Sequence, residues 1–160
     1  MTTLISILSK ESVMFKKIIV ATDGSALSKK AISTAIELAS ISGGELIAVK
    51  VSPRFTQSYF EGAILLDAAE VAKIEKAWAQ SAQKVLDTVL KTANSKGVNG
   101  KSIVVKSDIV SDALIAVAKK QKADLIVMAS HGRNGIKRLL MGSETQQVLT
   151  HSTVPVLVVR

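Results

Sequence analysis

The chain contains no cysteine, two prolines, and among its 160 residues only one Trp, one Tyr and three Phe. Each shortage closes a class of function. Without cysteine there is no disulfide framework, thiolate nucleophile or cysteine-ligated zinc, and a reducing compartment, by default the cytoplasm, is expected. So few aromatics leave little material for the base-stacking platforms of single-strand nucleic-acid binders. Apolar runs are interrupted by Lys, Asp, Gly or Ser within about eight positions, well short of the roughly 20 residues that cross a bilayer. The opening MTTLISILSK has an apolar stretch of only Leu4 to Leu8, with no basic residue before it and no clear cleavage site, so no secretory signal is expected.

Positive charge is present in excess, +8 from 21 Lys and Arg against 13 Asp and Glu. The basic residues fall in separate pairs, Lys16/Lys17, Lys29/Lys30, Lys119/Lys120 and Lys137/Arg138, which reads as a solvated basic surface and argues against a specific nucleic-acid site. The length suits one domain with its own core, and neither an internal repeat nor a low-complexity linker divides it.

Apolar periodicity places the elements. Lys17 to Ala21 (KIIVA) has the length and β-branched content of a buried strand, closed by Thr22-Asp23-Gly24-Ser25. Ile32, Ala35, Ile36 and Ala39 form one helix face that stops at Ser42-Gly43-Gly44. Glu45 to Val51 is a second strand, and Ser52 to Gly62 loses periodicity as a surface loop. Val71, Ile74, Trp78, Ala82, Val85 and Val89 mark the longest helix, with Trp78 in the core and Gly97 suited to the left-handed position after its end. Ser102 to Val105 is a strand, Ser111 or Asp112 can cap a helix through about Gln121, and Asp124 to Ala129 is the next strand. Ser143-Glu144-Thr145-Gln146 has the form of a capping box opening a short helix, and Val154 to Val159 is the last strand. Strict alternation with continuous apolar strands implies an α/β fold, an open parallel sheet with helices on both faces. Residues 1 to 13 stand outside this scheme; Met14 is a candidate initiator, and a poorly ordered extension is the alternative reading.

In such sheets a ligand sits beyond the carboxyl ends of the strands, at the switch point. Two loops qualify. The Thr22-Asp23-Gly24 turn brings a carboxylate. The loop from Ala129 to Gly142 carries Arg133, Lys137 and Arg138 and runs into a helix N-terminus, where N–H groups and the dipole favour an anion. A nucleotide suits the pair, its phosphates on the second loop and its ribose or base on Asp23. Each residue also has a structural reading: an Asx-turn or helix cap for Asp23, a helix cap for Ser143, a positive φ for Gly142, and plain solvation for the basic loop. Met128 ends a buried strand close enough to line an adenine pocket. His131 and His151 have no third ligand at recognisable spacing, so no metal site is expected. No nucleophile–base–orienter set, Gly-x-Ser-x-Gly elbow or GxxxxGK[ST] loop is visible, and enzymatic chemistry has no positive signal.

The segments IIVATDGSALS, ADLIVMASHGR, LLMGSETQQVLTHS and VPVLVV together make the chain from about Phe15 to Arg160 resemble the universal stress protein family. Its nucleotide-binding branch carries G-x2-G-x9-G-[ST], which stands here as Ala129-x2-Gly132-x9-Gly142-Ser143. Alanine in place of the first glycine adds a methyl group where family members pass close to ribose and phosphates. The resemblance implies strand order 3-2-1-4-5 and a cytoplasmic ATP-binding homodimer with slow or no hydrolysis, the nucleotide carried with Mg2+ and its state altering which protein partners are bound. Asp23 and Val49 would line the adenosine end, and Gly132 and Gly142 the phosphates. Ser143, Glu144 and Thr145 would supply further N–H or hydroxyl groups, with Ala21, Thr22, Ala129, His131 and Arg133 the remaining contacts. Ser143 or Thr145 would be the acceptor if the protein phosphorylates itself. The apolar strand Val154 to Val159, an aggregation risk if left open, is the expected dimer edge, where Pro155 can offer only its carbonyl. A nucleotide-free dimeric interaction protein and an enzyme that uses ATP on a small molecule are the alternatives.

Overall fold

A computed structural model describes residues 14–56, 66–132 and 141–160. The segment 1–13 and the basic residues Arg133, Lys137 and Arg138 lie outside the described residues. Among the described residues nine elements follow in chain order: β1 (Lys17–Ala21), α1 (Ala26–Ser42), β2 (Glu45–Ser52), α2 (Ala68–Ser95), β3 (Gly100–Lys106), α3 (Val110–Gln121), β4 (Leu125–Ala129), α4 (Ser143–His151) and β5 (Val156–Val159).

The strands form one parallel sheet in the order β3-β2-β1-β4-β5, as expected. β1 lies between β2 and β4, with Ile19 opposite both Ile47 and Ile126. Ile18, Ile19 and Val20 have no exposed surface because α1 and α2 cover one face of the sheet while α3 and α4 cover the other. Strand alternation divides the core between them. Ile18, Val20, Leu125, Val127 and Ala129 pack toward α1 and α2, whereas Ile19, Val49, Ile126 and Met128 pack toward α3 and α4.

Local chemistry sets the element ends. Ser25 caps α1 by accepting the Ser28 N–H at 3.2 Å, and Gly43 and Gly97, with φ of +64° and +73°, close α1 and α2. The Asp124 carboxylate accepts the N–H groups of Lys16 and Lys17, both at 2.8 Å, so it aligns β1 with β4 and does not belong to the strand itself. β3 is longer at both ends than its apolar stretch, and β5 is shorter, starting at Val156.

Two expectations are corrected. α2 begins at Ala68, where Asp67 and Glu70 form a reciprocal capping box ahead of the first apolar residue. Its 28 residues span about 42 Å at 1.5 Å per residue, more than any strand beneath it. Only its second half is therefore buried against the sheet, through Ala82, Leu86, Val89 and Ala93. Trp78 lies on the overhanging half, 37% exposed, with its ring 6.2 Å from that of Phe55, and is not a core residue. In α3 neither Ser111 nor Asp112 caps; the helix starts at Val110 after Ile109, which offers no side-chain bond.

Candidate functional site

β1, β2 and β4 end together, and their carboxyl ends open into a cleft of about 540 Å³. β1 brings Ala21, Thr22 and Asp23; β2 brings Val49; β4 and its loop bring Met128, Ala129, His131 and Gly132; Gly142 and the first turn of α4 bring Ser143, Glu144 and Thr145. Every candidate among the described residues thus lines one cleft. Arg133 lies outside them. Four further lining residues had no signal of their own in sequence: Ser28 from α1, Val51 from β2, and Val110 and Leu114 from α3. All four sit at regular positions of their elements, so only the three-dimensional packing of α1 and α3 against the sheet brings them here.

Asp23 performs the Asx-turn, its Oδ1 accepting the Ser25 N–H at 2.9 Å. Its backbone carbonyl accepts from Lys50 Nζ at 2.9 Å, a contact between positions 27 residues apart for which the sequence carries no signal. The other carboxylate oxygen faces the second loop: a Cβ built on Gly132 would come within 3.1 Å of Asp23 Oδ2. The two loops therefore meet across the switch point, and glycine at 132 is what lets them approach.

The start of α4 is held by the end of β4. Gly142 donates its N–H to Ser130 O at 2.9 Å, and Thr145 Oγ1 donates to Ala129 O at 3.1 Å. A Cβ on Gly142, whose φ of −63° is an ordinary one, would touch Ser130 O at 3.4 Å. The capping box is not formed, since Gly142 occupies the N-cap and Ser143 is already the first helical residue. Ser143 is exposed, and with Glu144 and Thr145 it precedes the first intrahelical bond, from Gln146 N to Gly142 O. Those three N–H groups are the donors a helix N-terminus leaves over. Thr145 is 3% exposed with its hydroxyl committed to the backbone, so it is not a presented phosphate acceptor. Glu144 turns away to α3, where its Oε2 accepts the Ser111 N–H at 2.7 Å.

Two details bear on what the cleft can hold. His131 Nδ1 lies 3.0 Å from Ser130 Oγ, while its Nε2 is buried without a partner among the described residues. Ala129 borders the cleft, but it packs with Leu125 and Val127 toward α1, on the side opposite Met128. No group of three or more His, Cys, Asp or Glu side chains is placed to hold a metal ion among the described residues. Within the same residues no helix is long and apolar enough to cross a membrane.

Comparison with known proteins matches the universal stress protein family model over residues 14–160. The chain belongs to the universal stress protein family. It is 34% identical over 158 residues to the universal stress protein MJ0531 of Methanocaldococcus jannaschii, covering 97% of this chain and 88% of that one. To the universal stress protein YxiE of Bacillus subtilis it is 32% identical over 149 residues, covering 92% of this chain and all of the relative. Among solved structures, a universal stress protein in complex with cAMP superposes with a TM-score of 0.67 at 28% identity, covering 92% of this chain and 98% of that one.

Proposed function

We propose that this family member binds an adenine nucleotide, ATP carried with Mg2+, in the cleft at the carboxyl ends of β1 and β4. In this reading it acts in the cytoplasm as a small regulatory homodimer of the stress response, its nucleotide state altering which protein it engages. One observation carries the nucleotide reading. Gly132 and Gly142 stand where a side chain would meet the opposite loop or the strand end, beside the leftover N–H groups of α4, with Asp23 across from them. That is a cradle for phosphates at a helix start. The apolar wall of Val49, Val51, Leu114 and Met128 gives the base a place to lie. His131 Nε2 is a buried polar atom that a ligand could satisfy after a small ring movement. The cAMP complex of a relative supports an adenine-bearing guest. Mg2+ would be held by the phosphates and water, as this ion commonly is.

Hydrolysis is expected to be slow or absent. Asp23 Oδ1 accepts the Ser25 N–H while its Oδ2 is buried against the second loop, and Glu144 Oε2 accepts the Ser111 N–H of α3, so among the described residues neither carboxylate is arranged around an open position for an attacking water.

The test is to denature freshly purified protein, chromatograph what it releases, and titrate Mg–ATP into emptied protein by calorimetry. Released adenine nucleotide or a saturable heat supports the reading; neither would leave the nucleotide-free interaction protein. Replacing Ala129 by Gly separates fit from packing. With its methyl in the core under α1, Ala129→Gly should leave nucleotide affinity within about twofold and lower stability by about 1 kcal/mol. A gain of tenfold in affinity would show that the methyl does crowd the phosphates.

A further inference from the structure

We infer that Glu144 is a positioning residue that sets the register between the adenosine wall and the phosphate cradle by capping α3 from α4. The inference rests on the adenine-nucleotide reading of the cleft and names a part of it that no motif specifies. An acidic residue in the first turn of a helix ordinarily complements its own dipole. Glu144 does something else. Its Oε2 takes the Ser111 N–H at 2.7 Å across 33 residues of sequence. α3 needs that acceptor, because its N-cap is Ile109, which has no polar side chain, and Ser107 Oγ is engaged with the N–H and carbonyl of Ile109 itself. The second N–H of α3 is thus satisfied in trans.

The two helix starts that Glu144 joins form different parts of the cleft. Leu114 of α3 belongs to the wall assigned to adenosine, with Val110 lining the same cleft one turn earlier, and Gly142 and Ser143 belong to the end assigned to phosphate. On its other side the start of α4 is fixed to β4 by Thr145 and Gly142. Among the described residues Glu144 is the one side chain that hydrogen-bonds between α3 and α4. A ligand that engages both ends at once benefits from their being held in register, whereas one that engages a single end does not. Loss of the tether should therefore weaken ATP more than adenosine. A general loss of stability would weaken both alike.

Three variants and two probes decide it, Mg–ATP and adenosine, each titrated by calorimetry. Glu144→Ala should lose about tenfold in ATP affinity, the scale of one charge-assisted hydrogen bond, and less than twofold for adenosine. Glu144→Gln keeps an acceptor for the Ser111 N–H and should stay within about threefold of the parent for both. The double variant Ile109→Asp with Glu144→Ala gives α3 its own cap without the link to α4, so it should regain thermal stability and not ATP affinity. If ATP affinity returns along with stability, Glu144 is only a cap; if Glu144→Ala binds ATP like the parent, the tether does not matter. Failure of the parent to bind either probe would instead overturn the reading of the cleft. In that case amide exchange at Ser111 still tests the link, which requires protection in the parent and in Glu144→Gln and its loss in Glu144→Ala.

Discussion

The sheet has two edges, β3 and β5, and they are finished differently. In β3 the backbone groups of Gly100, Ser102, Val104 and Lys106 face outward, as follows from the bonds of Asn99 O to Leu46 N and of Ser107 N to Ser52 O. Two of those outward positions are strapped to the overlying α2: Gln83 Nε2 donates to Ser102 Oγ at 2.9 Å, and Lys106 Nζ pairs with Glu75. Lys101 adds a second charged residue on the strand, paired with Glu45 at 3.4 Å. β5 has none of this. No charged side chain interrupts Val154 to Val159, and Leu157 is 36% exposed. Pro155 also turns out to be harmless at this edge. Its carbonyl accepts from Ile126 N, so its backbone faces β4, and the outward groups belong to Val156 and Val158. Charge and lysine on one edge and their absence on the other is the pattern of a blocked edge and a pairing edge, which is why we place the proposed dimer at β5.

The largest effect should come from blocking β5. Val158→Pro removes an outward N–H that no strand among the described residues uses, so the fold should survive while dimerisation weakens by at least 100-fold, read by light scattering on a sizing column. Leu157→Pro is the contrasting variant. It removes a group facing β4 and should lower the melting temperature by several degrees, as a lost ladder bond and a packing defect together would. If Val158→Pro elutes like the parent, the pairing edge is elsewhere. Next in size is unblocking β3. The triple variant Lys101→Val, Gln83→Ala, Lys106→Val removes every strap and should produce concentration-dependent higher oligomers while the β5 contact persists.

The edges also show what was readable before the structure. Burial of the strands followed from apolar runs because a parallel sheet covered on both faces leaves no room for polar residues, as Ile18 to Val20 and Leu125 to Met128 demonstrate, whereas their order in the sheet followed only from the family resemblance. Gly132 and Gly142 were readable because a site closed by the Asp23 carboxylate on one side and the end of β4 on the other leaves glycines behind. What failed to read was partnership between residues far apart in sequence. Glu144 looked like part of a capping box and caps a different helix; Trp78 fitted the apolar stripe of α2 and lies beyond the sheet; Lys50, one residue of a strand pattern, holds the carbonyl of Asp23. In each case the local pattern was satisfied equally well by a neighbour and by a distant element. Only the packing of α3, α4 and the overhang of α2 decides between them.

The smallest effect belongs to the strap at Lys106. Lys106 Nζ donates to Glu75 Oε2 while the Phe55 N–H donates to Oε1 at 3.0 Å, and these two bonds hold the Glu75 carboxyl below its ordinary value of 4.5. A carboxyl whose folded pKa is depressed stabilises the fold above its unfolded pKa, and that contribution disappears as pH falls through the folded value. The β3 strap should accordingly hold from neutral pH down to the region of 4.5 and weaken below it, with exchange at the Phe55 amide accelerating relative to the pH trend of other amides. Glu75→Gln should remove that pH dependence and shift the melting temperature at neutral pH by no more than a few degrees, since exposed ion pairs contribute little. Because β5 has no such strap, dimerisation through it should be unaffected by acid over the same interval. A β5 contact that dissolved in step with Glu75 protonation would mean that the two edges are coupled through the sheet and not independent.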